Sequence, residues 1–147
     1  MTLPVAALDP GRSKCGLVLT DPCRRMIREA LVLPPEATWQ TLRRWRQSPQ
    51  GPALAVIGDG TGSAAWRLRL EPLMEVIVVD ERGTTLAARR RYWPLHPPRR
   101  WRRWLPEGLR QPPRDWDDVV AQLLLERWLG RELPRQGPQN EARTVKA

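Results

Sequence analysis

Ala53-Leu54-Ala55-Val56-Ile57 and Val76-Ile77-Val78-Val79 are wholly apolar, and each runs into a polar stretch containing glycine. Gly58-Asp59-Gly60-Thr61-Gly62-Ser63 follows the first run and Asp80-Glu81-Arg82-Gly83-Thr84-Thr85 the second. Short apolar runs that end at turn signals read as strands buried on both faces. Helical composition comes next in both cases, to about Leu70 after the first run and through a group of arginines to Trp93 after the second. Buried strands alternating with helices imply a central sheet with parallel strands and helices packed on it.

Upstream, Pro4 to Leu8 is a short apolar strand ended by the turn signal Asp9-Pro10-Gly11. Cys15 to Thr20 and Arg25 to Leu33 give two more strands, the last closed by Pro34-Pro35. Their close spacing predicts an antiparallel meander. A helix over Thr38 to Arg46 follows, with Glu36 near its first turn. It turns Trp39, Leu42 and Trp45 to the core and Arg43, Arg44 and Arg46 to solvent. Downstream, Pro94, Pro97, Pro98, Pro106, Pro112 and Pro113 predict a long loop or lid over residues 94–114. Trp116 to Leu129 is the strongest helix, with Asp115 as a plausible N-cap and Val119, Val120, Leu123, Leu124 and Trp128 as its apolar stripe. Residues 133–147 lose all periodicity and read as a disordered tail, leaving one α/β domain over residues 1–132.

At 147 residues, 41% hydrophobic and 28% charged, the chain has the length and composition of one globular domain. No apolar run is long enough to span a bilayer, and Met1 to Leu8 resembles no secretory leader, so a soluble cytoplasmic protein without a membrane partner is expected. Cys15 and Cys23 have neither metal-ligand nor redox spacing and read as reduced thiols. His96 is the only histidine and has no nucleophile motif near it, which argues against Ser-His-Asp and Cys-His catalysis and against zinc.

The formal charge of +9 comes from 23 arginines and 2 lysines against 16 acids. Seven of the arginines (Arg89, Arg90, Arg91, Arg99, Arg100, Arg102, Arg103) fall between Arg89 and Trp104, with no acid and with Tyr92, Trp93, Trp101 and Trp104 among them. Guanidinium forks match phosphate oxygens and aromatic rings stack on bases, so nucleic acid is the expected partner and its binding strongly salt dependent. The plainer explanation is a solvated helix face and a proline-rich loop in a sequence rich in Arg and Trp.

Four acids fall at telling places in this order of elements. Asp9 ends the first strand, Glu81 lies just past the last, and Asp117 and Asp118 occupy the first turn of the last helix. The carboxyl ends of parallel strands are where open α/β sheets build sites. Carboxylates converging there repel unless they hold hard cations, which points to Mg²⁺ or Mn²⁺ and, with two ions, to phosphodiester hydrolysis. Taken singly, each acid also has a structural use: a turn at Asp9, solvated charge at Asp80 and Glu81, helix capping at Asp115, Asp117 and Asp118.

Leu8-Asp9-Pro10-Gly11 followed by Lys14-Cys15-Gly16-Leu17-Val18, then Val79-Asp80-Glu81-Arg82-Gly83-Thr84-Thr85, then Asp117-Asp118-Val119-Val120-Ala121 entering a helix, resembles the YqgF/RuvX family of RNase H-like nucleases over about residues 4–130. Its members are described as Holliday junction resolvases or as nucleases that mature the 5′ end of the small-subunit ribosomal RNA precursor. The resemblance implies an RNase H-like fold: a five-stranded mixed sheet, its first three strands antiparallel, with helices on both sides. It implies a hydrolase with Asp9, Glu81 and an acid at the start of the last helix as ligands of Mg²⁺ or Mn²⁺, two ions in all. Asp117 is preferred for the third place and Asp118 stays open. Arg82 would bind the scissile phosphate, with Thr84 and Thr85 at a helix N-terminus suited to phosphate. Lys14, Arg89, Arg90, Arg99, Arg100, Arg102 and Arg103 would contact the nucleic acid. Ribosomal RNA processing is the first expectation and resolution of branched DNA in recombination the second. A junction needs two paired cuts and favours a homodimer, whereas end maturation needs one site, so monomer and dimer stay open.

The chain departs from the family in Gly58-Asp59-Gly60-Thr61-Gly62-Ser63, where a Gly-Leu-Pro-like loop is usual, and in the Trp/Arg/Pro stretch. Those glycines, with Asp9-Pro10-Gly11, also look like the two phosphate loops of actin-type and sugar-kinase ATPases, but one domain of this length supplies half of such a site. A basic nucleic-acid-binding module with structural acids is the third reading.

Overall fold

The computed structural model describes residues 2–84, 87–88, 90–91, 117–136 and 143–144. Strands β1 (Ala6–Asp9), β2 (Cys15–Thr20) and β3 (Ile27–Leu33) form the expected antiparallel meander, and β4 (Leu54–Gly58) and β5 (Glu75–Val79) extend it by parallel pairing beside β1. The order of these five strands is β5-β4-β1-β2-β3, the layout of an RNase H-like domain. A two-residue strand, β6 (Arg143–Thr144), runs parallel to β3 at the far edge.

Alternation along the strands decides which side chains meet which helix, because successive residues of a strand point to opposite faces. Ala6, Leu8, Leu17, Leu19, Ala55 and Ile57 pack with Leu42 of helix α1 (Pro35–Gln47) and with Trp66 and Leu70 of α2 (Ser63–Leu70). Val5, Ala7, Val18, Leu54 and Val56 face the other way, onto Ala121, Leu124 and Leu125 of α3 (Asp117–Leu129). The sheet is thus covered on both faces, α1 and α2 on one and α3 on the other. No helix among the described residues is long and apolar enough to cross a membrane.

Several boundaries differ from the sequence reading. Helix α1 begins at Pro35, not Thr38, because proline's fixed φ suits the first helical position. Strand β3 starts at Ile27 because the Asp21 carboxylate accepts the N–H groups of Arg25 (2.7 Å) and Met26 (3.0 Å) and holds residues 21–26 in a turn. Strand β5, expected to be buried on both faces, is an edge strand, and Val78 is 40% exposed. An apolar run records the residue types and not whether a second strand flanks it.

The tail reading needs the larger correction. Leu133 is 1% exposed and Arg135 9% exposed. The Ile27 N–H donates to the Pro134 carbonyl (2.8 Å) and the Gln136 N–H to the Ile27 carbonyl (2.8 Å), so residues 133–136 continue the sheet edge. The loop at 94–114 with His96, and Asp115, Thr85, Arg89, Arg99, Arg100, Arg102 and Arg103, lie outside the described residues.

Candidate active site

Asp9 is the last residue of β1 and shares its parity with Val5 and Ala7, so its side chain falls on the face that α3 covers. Within the sheet it pairs with Gly16 of β2. On its other side the register Leu8↔Ile57 brings Gly58 of β4 next in line. A Cβ on Gly16 would stand 1.8 Å from the Asp117 carbonyl oxygen, so the first turn of α3 lies directly on the main chain of β2. A Cβ on Gly58 would stand 2.5 Å from Glu81 Oε2, and one on Gly60 would stand 1.7 Å from Glu81 Oε1. Asp9 is therefore flanked by two glycines, and each makes room for one of the other acids.

The electrostatics agree with this layout. Burial, and then the charges of Asp117 and Glu81, push the Asp9 carboxyl up from 3.8 to about 7. Cys15, one residue before Gly16, has its thiol pushed up by burial first and further by Asp9 and Asp117, which keeps it protonated and unreactive.

Glu81 is held by its backbone from three directions. Its N–H donates to Asp59 Oδ1 (3.1 Å), and its carbonyl accepts the Thr84 hydroxyl (2.6 Å) and the Thr84 N–H (3.0 Å). Arg127 of α3 donates to the carbonyls on either side, Nη1 to Asp80 and Nη2 to Arg82, both at 2.7 Å. Asp59, Gly58 and Gly60 belong to the glycine-rich stretch that suggested a phosphate loop; here that stretch accommodates Glu81. Arg127→Met removes two charge-assisted bonds at a solvent-exposed site, and a loss of about 1–2 kcal/mol in urea unfolding is expected. Unchanged stability would mean that the clamp contributes nothing.

The remaining site residues divide between this edge and other places. Asp118, adjacent to Asp117, is fully buried and paired with Arg135 at 2.8 Å. Thr84 is 4% exposed and holds the Glu81 turn. Arg82 is exposed beside Glu81, with a long contact of 3.8 Å to Asp80 that counts for little in water. Lys14 and Arg90 are exposed. Arg91, grouped with the substrate-facing arginines from sequence, instead pairs with the buried Glu126 at 3.1 Å, because that carboxylate on α3 needs a cation. Sequence reading missed Gly16, Gly58, Arg127 and Arg135. For the glycines the signal was present, since a glycine within an otherwise apolar strand marks a close approach of another group.

Asp9, Glu81 and Asp117 offer only carboxylate oxygens, the donor type that hard divalent cations take. As the side chains stand, no group of three or more His, Cys, Asp or Glu among the described residues is arranged to hold a metal ion. The glycine seat under Glu81 and the charge felt by Asp9 fit the donor chemistry of such an ion.

Fold and site together give a mixed-sheet α/β domain with the strand layout of an RNase H-like fold, in which Glu81 and the first turn of α3 approach the strands on either side of Asp9. Among solved structures the chain is similar to T. thermophilus RuvC in complex with a Holliday junction substrate, at 15% identity and a TM-score of 0.44, over 86% of this chain and 96% of that one. No protein-family model matches the chain, and the comparison with curated proteins gives no match.

Proposed function

We propose that this protein is a divalent-cation-dependent nuclease that hydrolyses phosphodiester bonds in structured nucleic acid. The observation that carries the reading is the seating of Asp9 between Gly16, on which the first turn of α3 lies at Asp117, and Gly58, which makes room for Glu81; burial and those two charges push the Asp9 carboxyl up to about 7. Gathering like charges around a buried acid is costly, and functional sites are where such a cost is characteristically found. Asp9, Glu81 and Asp117 would hold Mg²⁺ or Mn²⁺, and Asp118, already paired with Arg135, is left out of the set. A cation bound there supplies an activated water and charge neutralisation at the leaving oxygen. Arg82, exposed beside Glu81, would bind the scissile phosphate, with Lys14, Arg89, Arg90, Arg99, Arg100, Arg102 and Arg103 engaging the flanking strand.

The family resemblance puts the 5′ end of the small-subunit ribosomal RNA precursor first among substrates and branched DNA second. A cleavage panel with a structured precursor end, single-stranded RNA and a four-way DNA junction, in Mg²⁺ or Mn²⁺, tests both. Wild type is expected to cut only with the cation. Glu81→Gln is expected to bind as before and to cut at least about 100-fold more slowly, since cation-assisted charge stabilisation is worth several kcal/mol. Cutting of the RNA end supports processing, and cutting of the junction supports recombination. Undiminished binding with no cutting by either protein overturns the nuclease reading in favour of a binding module.

A further inference from the structure

Helix α3 carries a polar stripe on a buried face. Asp118, Gln122 and Glu126 follow one another at four-residue intervals, and all three are buried. Their partners come largely from the segment after the helix. Arg135 donates through Nη2 to Asp118 Oδ2 (2.8 Å) and through Nε to Gln122 Oε1 (2.9 Å). The Leu133 N–H donates to Glu126 Oε2 (2.7 Å), while Gln122 Nε2 donates to the Leu133 carbonyl (3.0 Å). The other side of this segment is fastened to β3 through the two backbone bonds at Ile27. Residues 133–136 thus form a strap with one side on the sheet and the other on α3.

The two first-turn acids of α3 have different surroundings: the main chain of Asp117 lies on Gly16, the strand partner of Asp9, while the Asp118 carboxylate is paired in the strap. Neighbouring helix residues point about 100° apart, so one residue's worth of rotation would exchange them. The apolar contacts of Ala121, Leu124 and Leu125 with the sheet are not directional, and the two bonds of Arg127 fasten the far end of the helix, so the directional contact nearest the first turn is the Asp118 pair. A buried ion pair with a 0% exposed carboxylate and a 3% exposed guanidinium has one acceptable geometry. We infer that Arg135 is a positioning residue: its ion pair with Asp118 fixes the rotation of α3 and so holds Asp117 at the proposed cation site. This rests on the reading of Asp117 as a ligand, and it makes the strap part of the active domain.

Arg135→Met alone leaves a buried unpaired carboxylate and risks unfolding the protein. The informative variant is Asp118→Leu with Arg135→Met, which replaces the pair by apolar side chains; Arg135→Lys keeps the charge and serves as the conservative probe. Two readouts are taken on the full chain. The first needs no cation: the nuclear Overhauser contact between the Gly16 α-protons and the amide of residue 118, which reports the seating of α3 on β2. The second is Mn²⁺ affinity by electron paramagnetic resonance. The double variant is expected to weaken the Gly16 contact and to bind Mn²⁺ at least about tenfold less tightly, the usual scale for groups that orient a ligand. Arg135→Lys should largely keep both. A double variant that keeps the full Gly16 contact overturns the positioning role. Wild type that binds no Mn²⁺ overturns the cation site, and the Gly16 contact then still decides whether Arg135 sets the helix.

Discussion

Gly16→Ala is expected to destabilise the domain by about 3 kcal/mol or more and to move the start of α3, whereas Gly58→Ala is expected to leave stability within about 1 kcal/mol and to remove the proposed cation-dependent cutting. The two substitutions add the same methyl group on the same face of the two strands that flank β1, so the difference lies in what each meets. At Gly16 the new carbon would stand 1.8 Å from the Asp117 oxygen, 2.2 Å from its carbonyl carbon and 2.8 Å from the Asp118 nitrogen. All three are backbone atoms in the first turn of a helix that also carries the Asp118–Arg135 pair, and no rotamer change relieves the overlap. At Gly58 the close atom is Glu81 Oε2 at 2.5 Å, the far end of a flexible side chain, with Leu124 Cδ1 next at 3.3 Å. Glu81 can swing away at little energetic cost, but its carboxylate then leaves the neighbourhood of Asp9. Urea unfolding of both variants beside Mg²⁺-dependent cleavage separates the two effects. Equal stabilities would refute the close approach of α3 to β2, and full activity in Gly58→Ala would detach Glu81's position from function.

That contrast shows which parts of the molecule were legible in the sequence. The strands were, because period-2 alternation and apolar runs are local patterns, and so were the positions of Asp9, Glu81 and Asp117, which follow from strand and helix ends. Whether Val76 to Val79 lay inside the sheet or at its edge was not legible, since that depends on a neighbour absent from the run itself. The strap was missed for a related reason. Leu133-Pro134-Arg135-Gln136 has no periodicity of its own, and its order comes from partners on α3 and β3. A trace existed in Asp118, Gln122 and Glu126, whose spacing puts three polar groups on one stripe of a helix otherwise built for a core. Buried polar groups require partners, so the stripe called for a polar segment to cover it. The resemblance already preferred Asp117 over Asp118 as the third proposed ligand, and the strap adds a physical reason for it by pairing Asp118 with Arg135.

Asp9→Asn is expected to make the protein more stable at neutral and alkaline pH, by an amount that grows from about pH 4 to about pH 7 and is constant above that. The folded state holds the Asp9 carboxyl at about 7, against an ordinary 3.8, so between those values the folded protein binds more protons than the unfolded chain. Stability therefore falls as pH rises through this window; the Asp9 contribution is absent below about pH 4 and complete above about pH 7. The full rise corresponds to about 4 kcal/mol, which is the expected gap in pH dependence between wild type and Asp9→Asn from pH 4 to pH 8. Asparagine keeps the shape and removes the charge that Asp117 and Glu81 oppose. Urea unfolding at intervals across that range measures the gap, and parallel curves would show that Asp9 carries no such burden. If the burden exists because the site is built for a cation, Mg²⁺ or Mn²⁺ at pH 8 should stabilise wild type by mass action and leave Asp9→Asn nearly unmoved. A cation effect equal in both proteins would place the ion elsewhere, while the pH gap would still report the burial of Asp9 together with the charges of Asp117 and Glu81. A destabilising arrangement present in the free protein and relieved by its ligand is what a binding site predicts, and structural acids used only for turns and caps would give neither the gap nor its relief.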